Sequence, residues 1–164
     1  MGSGYRLAAV ESSRDLVTIR ELFQEYAEGI GIDLAYQGFD HELAQLPGRY
    51  APPAGDLLIA WQNGRALGCV GLRPLDLPGA CELKRLYVRP AARGARIGLA
   101  LAKCVIERAT AKGYHWIMLD TLPSMTPAIA IYRALGFAPT APYSDVTVPG
   151  ILYFAKQLQG SAET

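Results

Sequence analysis

Between Leu86 and Leu101 the chain reads Leu-Tyr-Val-Arg-Pro-Ala-Ala-Arg-Gly-Ala-Arg-Ile-Gly-Leu-Ala-Leu: a strand-like run, a proline, an arginine- and glycine-containing turn, and the start of an amphipathic helix. The first amides of a helix have no intrahelical partners and lie at the positive end of its dipole. A turn of small residues leaves them open to an anion such as a pyrophosphate. The net charge of +1 provides no general field for nucleic acid or an acidic membrane, so an anion site here is local. Other reactive side chains form no constellation. Cys69, Cys81 and Cys104 are widely spaced, make no CxxC pair or metal-ligand cluster, and read as small core residues of a protein in a reducing cytoplasm. His41 and His115 are far apart and lack a nucleophile partner, and Ser12-Ser13 belongs to a helix cap. Neither a metal centre nor a covalent intermediate is indicated.

The elements that must position the turn follow from periodicity and punctuation. Tyr5 to Val10 reads as a strand. Ser12 and Asp15 resemble a capping box, and Leu16, Ile19, Phe23, Tyr26 and Ile30 recur at helical spacing, predicting a helix over about 14–28 that Gly29 and Gly31 end. A short helix over 40–46 is closed by Pro47-Gly48. Leu57 to Gln62 and Ala66 to Leu72 flank Asn63-Gly64, a hairpin signal. Cys81 to Val88 adds a third antiparallel strand, with Glu82, Lys84, Leu86 and Val88 expected on one face and Leu83, Arg85 and Tyr87 on the other. A helix to about Lys112, a strand from Trp116 to Asp120, a helix opened by Thr126-Pro127 and stopped by Gly136, and two closing strands (from Phe137 and over 151–158) complete the chain. The order β-α-α-β-β-β-α-β-α-β-β is that of one mixed α/β domain over residues 1–158, with 159–164 a frayed tail.

That order, with LYVRPAARGARIG between the fourth strand and third helix and AIAIYRALGF on the fourth helix, resembles the GNAT superfamily of N-acetyltransferases. Gln37-Gly38-Phe39, Leu46-Pro47-Gly48-Arg49-Tyr50, Cys81 to Val88 and Leu119 to Met125 are similar to a branch of small bacterial members. The resemblance implies a mostly antiparallel sheet flanked by about four helices and splayed between strands 4 and 5. The superfamily's turn runs Gln/Arg-x-x-Gly-x-Gly/Ala. Arg93 and Gly98 match its ends, whereas Arg96 stands where a glycine is usual and Gly94 supplies a neighbouring one.

The resemblance also implies the chemistry. Acetyl-CoA is the co-substrate, its pyrophosphate on the backbone of Arg93, Gly94, Ala95, Arg96, Ile97, Gly98 and Leu99. Its pantetheine arm pairs with the fourth strand at Leu86, Tyr87 and Val88. Tyr132 corresponds to a tyrosine that protonates the departing thiolate, a task suited to a phenol that is neutral at pH 7. Met125 stands where relatives carry a CoA-contacting asparagine. Glu82 is the expected base, directly or through a water, with Asp120 the second choice. The acceptor, a small-molecule or peptide amine, is framed by Tyr26, Tyr36, Phe39, Glu42, Tyr50 and Tyr143, whose acidic member suits a cationic amine. A homodimer fits the class. The alternative within the fold is an acyl-CoA-binding sensor with weak catalysis.

Bulk properties agree. Hydrophobic residues make up 51% and charged residues 19% of 164, enough for one sizeable core. No apolar run approaches the ~18 residues of a membrane span, and no signal-peptide core is evident, so neither membrane nor nucleic acid is an expected partner. A Rossmann or P-loop nucleotide site is a poor rival, because the GxxxxGK(S/T) and GxGxxG contexts are missing.

Overall fold

The computed structural model describes residues 4–30, 38–144 and 150–158. Among them a seven-stranded sheet runs β1-β2-β3-β4-β5-β7-β6. Its strands are β1 (Arg6–Ala9), β2 (Asp56–Gln62), β3 (Arg65–Pro74), β4 (Ala80–Val88), β5 (Trp116–Thr121), β6 (Ala138–Pro139) and β7 (Leu152–Gln157). All neighbours are antiparallel except β4 and β5. Helices α1 (Ser13–Ile30) and α2 (Phe39–Gln45) pack on one face, and α3 (Ile97–Ala111) and α4 (Thr126–Ala134) on the other. The core is therefore double. Leu58, Val70, Leu83, Leu101, Val105, Ile117 and Phe154 fill the α3/α4 side, and Ile19, Leu22, Phe23, Tyr50, Ile59 and Cys69 the α1/α2 side.

Local chemistry sets the ends of these elements. The Ser12 hydroxyl accepts the Asp15 amide at 3.1 Å, and the Asp15 carboxylate reaches back to the Glu11 amide at 3.0 Å, one residue earlier than a standard capping box. Helix α1 continues through Gly29 to Ile30, two residues past the expected end. Gly29 keeps helical geometry there because the last turn gives its missing side chain little to lose. The β2–β3 hairpin turns on Asn63 (φ 52) and Gly64 (φ 78), the left-handed pair a tight two-residue turn needs. At the far end of α3, Arg108 and Lys112 pair with the buried Asp56 at the start of β2.

The expected alternation along β4 is corrected by a bulge. Cys69 faces Tyr87 and Gly71 faces Lys84, so Val70 of β3 stands opposite both Arg85 and Leu86. Arg85 takes a left-handed φ of 60. The extra residue reverses the facing of everything after it. Cys81, Leu83, Leu86 and Val88 share the α3/α4 side, while Glu82, Arg85 and Tyr87 face the α1/α2 side.

Candidate active site

β4 is joined to β5 only at Ala80–Trp116, Cys81–Ile117 and Glu82–Met118. From Leu83 onward its β5-side edge has no strand partner among the described residues. The strands part, and a groove of about 770 Å³ opens beside the start of α3, within the ~300–1,000 Å³ common for small-molecule sites. Leu86, Tyr87 and Val88 form one wall; Arg93, Gly94, Arg96, Ile97, Gly98 and Leu99 form its head; Met125, Pro127, Ala128 and Ile131 form the opposite wall. Tyr26, Gly29 and Ile30 from the last turn of α1 close it.

At the head of the groove the start of α3 lies uncapped. Arg96 precedes α3 in a left-handed conformation (φ 60, ψ 26), and no side chain caps the helix. Its first amides are thus left to a ligand. Arg93 donates through Nε to the Val88 carbonyl at 3.0 Å and lays its guanidinium 6.0 Å from the Tyr87 ring centre, pinning the loop to the strand end. A Cβ on Gly98 would meet Ile131 Cδ1 at 3.2 Å, so the bare glycine is what lets α3 approach α4. An uncapped helix start at the head of a largely apolar trough matches the shape of CoA, whose charge sits at one end of a long, thin arm.

At the inner end lies a small polar pocket of about 20 Å³ that shares Tyr26, Leu86 and Met125 with the groove. Lys84, Arg85, Asp120, Thr121 and Tyr132 also line it. Tyr132 is 5% exposed, its ring edge-on to Phe137 at 5.7 Å. Burial, with Tyr26 and Asp120 adding to it, pushes its phenol up and keeps it protonated. Lys84, also 5% exposed, has its ammonium 3.8 Å from Asp120 and 4.0 Å from Glu82. Burial draws that ammonium below the ordinary lysine range, against the upward pull of the two carboxylates.

Beside the pocket runs a buried ion cluster. Arg85 donates through Nε and Nη2 to the two Glu42 oxygens (3.1 and 2.9 Å), and the Tyr50 hydroxyl donates to Glu42 at 2.9 Å. Arg73 donates to Glu82 at 2.9 Å and the Tyr143 hydroxyl donates to its other oxygen at 2.6 Å. Burial opposes charge on both carboxyls, yet Arg85 for Glu42, and Lys84 and Arg73 for Glu82, hold them below the usual carboxylate range. Phe39 lies under the Arg85 guanidinium at 5.1 Å.

The structure thus divides the expected site residues into two groups. Every residue expected on CoA lines the groove except Ala95, which is exposed and lies outside its lining. Tyr132 lines the inner pocket and Tyr26 both cavities. Glu82, Phe39, Glu42, Tyr50 and Tyr143 line neither; they build the ion cluster and the core above α2. Tyr36 lies outside the described residues. Lys84 and Thr121 are pocket residues that sequence reasoning left unassigned. The only signal for Lys84 was its place between Glu82 and Arg85, three charges within one strand. The cysteines are no rivals: burial pushes the thiol of Cys81 up to about 12 and raises those of Cys69 and Cys104, away from the reactive thiolate.

Comparison with known proteins places this geometry. The Acetyltransferase (GNAT) family profile matches residues 16–137. An uncharacterized N-acetyltransferase of Schizosaccharomyces pombe is 40% identical over 157 residues, covering 95% of this chain and 96% of the relative. A GNAT-family acetyltransferase from Staphylococcus aureus shares the fold at a TM-score of 0.75 and 22% identity, over 94% of this chain and 100% of that one. An acetyltransferase structure from Salmonella typhimurium with acetyl-CoA shares it at 0.70 and 20% identity, over 98% of each chain. With its split β4–β5 pair, uncapped α3 and matching profile, the chain belongs to the Acetyltransferase (GNAT) family.

Proposed function

We propose that the protein is an N-acetyltransferase in which an amine of a small molecule or peptide attacks acetyl-CoA directly while both are bound. The observation that carries this reading is a trough with uncapped helix amides at its head, bordered at Tyr26, Leu86 and Met125 by a small pocket that holds the buried, protonated Tyr132. Acetyl-CoA supplies the acetyl group as an activated thioester. The α3 amides, with Arg93 and Arg96, would hold its pyrophosphate. The open edge of β4 at Leu86 and Val88 would take the pantetheine arm, and an N–H there stabilises the carbonyl oxygen as charge develops. Tyr132 donates a proton to the leaving sulfur. Glu82 was the expected proton acceptor, but Arg73 and Tyr143 occupy its two oxygens and hold it ionised. Asp120 lines the pocket itself, so we assign the acceptor role to Asp120 and a positioning role to Glu82.

Calorimetric titration with acetyl-CoA, followed by thiol release across a panel of amines, tests the reading. Tyr132→Phe should lower kcat by about 100-fold and leave acetyl-CoA affinity unchanged. Equal turnover in the variant removes Tyr132 as the acid. Binding without turnover on any amine makes the protein a sensor of the same fold, and absence of binding overturns the assignment.

A further inference from the structure

The trough and the inner pocket meet at three side chains, Tyr26, Leu86 and Met125. What lies past them does not yield. The pocket of about 20 Å³ is room for roughly one water-sized group, the bulk of a methyl. Its charged lining is already spent. The Lys84 ammonium pairs with Asp120 at 3.8 Å and with Glu82 at 4.0 Å, and Arg85 pairs with Glu42 at 2.9 Å. An apolar chain pushed in there would part buried charges and offer no hydrogen bond in return. On the acetyl-transfer reading, the pantetheine arm along Leu86 and Val88 brings its sulfur toward Tyr132, which lines this pocket. Acyl carbons beyond the thioester carbonyl then face the border.

The three border residues are not equally fixed. Leu86 is buried in β4 and belongs to the α3/α4 core. The Tyr26 ring stands edge-on to Tyr87 at 6.4 Å and lies 5.8 Å from the Arg85 guanidinium. Met125 sits between β5 and α4 and is half-buried. Its backbone is anchored: the Met125 amide donates to the Leu122 carbonyl, and the Met125 carbonyl accepts the Ile129 amide, both at 3.0 Å. The thioether therefore reaches the border from a fixed point. Of the three, it is the side chain whose shortening opens the border without disturbing a strand or an ion pair.

We propose that Met125 determines the length of the transferred acyl group, closing the inner end of the trough so that acetyl is accepted and longer chains are turned away. The proposal rests on the acetyl-transfer reading and names what limits its donor. The test titrates the full chain with acetyl-, propionyl- and butyryl-CoA by calorimetry and follows thiol release from each across the amine panel. kcat/KM should fall about 10- to 200-fold for each added methylene, and butyryl-CoA should bind at least about 10-fold more weakly than acetyl-CoA. Met125→Ala should raise the butyryl-to-acetyl ratio about 10-fold or more in both readouts. Met125→Leu, of similar volume, should keep the ratio of the unaltered protein. If the alanine variant fails to fold, Met125→Val shortens the side chain with less loss of packing and takes its place. Equal use of the three thioesters, or a ratio unmoved in the shortened variant, overturns the proposal and leaves acetyl transfer standing. Selective binding of acetyl-CoA that is relaxed by shortening Met125, with no turnover on any amine, upholds the acyl limit and overturns acetyl transfer. Absence of binding by every thioester overturns both.

Discussion

Arg96 holds φ 60 and ψ 26 at the entrance to α3, a conformation that costs a residue with a Cβ about 1–2 kcal/mol. The turn that this run resembles has a glycine there; here Arg96 takes the left-handed conformation with its side chain in place. A guanidinium beside uncapped helix amides is the compensating gain, since it adds charge where a pyrophosphate would sit. Arg96→Gly separates the two effects. The unliganded protein should melt at the same temperature or slightly higher, because relief of the left-handed strain exceeds the added freedom of the unfolded chain. Acetyl-CoA affinity should fall about 10-fold, the worth of one charged hydrogen bond. Unchanged affinity by calorimetry would mean that the backbone alone holds the phosphates.

At the scale of elements, the groove depends on how α1 meets β4. Arg89 at the end of β4 donates to both Glu25 oxygens (3.0 and 2.8 Å) and, through Nη1, to the Ala66 carbonyl at 2.9 Å. The Tyr87 hydroxyl adds a third donor to Glu25 at 3.1 Å. This clamp fixes the last turns of α1, whose Tyr26, Gly29 and Ile30 close the trough. Half-exposed ion pairs contribute little to global stability, at most about 1 kcal/mol. Glu25→Ala should therefore leave the unfolding midpoint nearly unchanged. Amide exchange should accelerate in the last two turns of α1, and acetyl-CoA should dissociate faster. A large loss of stability with unaltered exchange in α1 would refute the clamp as a local device.

For the molecule as a whole, the ion cluster on the α1/α2 side ties stability to pH. Glu42 and Glu82 have folded-state pKa values below their unfolded ones. Between the two values the unfolded chain binds more protons, so stability rises with pH there. Their contribution is complete above the ordinary carboxylate range and is lost as pH falls through the depressed folded values. Denaturant unfolding should show a plateau from neutral pH to about 5, then a decline below the ordinary Glu value of about 4.3. Glu82→Gln should be less stable at pH 7 and show a shallower acid decline; an identical decline would remove Glu82 from the linkage. The fold and the lining of the groove were largely legible in the chain itself, because both rest on local signals. The Ser12 cap, the Asn63-Gly64 turn and the run from Val88 through Gly98 each act within a few residues and through the backbone. The bulge at Arg85 was not legible, since it arises from β4 pairing with β3 and leaves the composition of the strand unchanged. The same holds for the acceptor end. Glu82 read as the base and Glu42 and Tyr143 as part of the acceptor wall, and only the packing of α2 and the chain around Tyr143 against the bulged strand shows their charges and hydroxyls spent on other groups of the cluster. Sequence by itself determined the element order and marked the uncapped start of α3 and the place of Tyr132 on α4. Tertiary structure decided which charges are spent on one another, because hydrogen-bond partners up to 64 residues apart in the chain meet only when the sheet and its helices close.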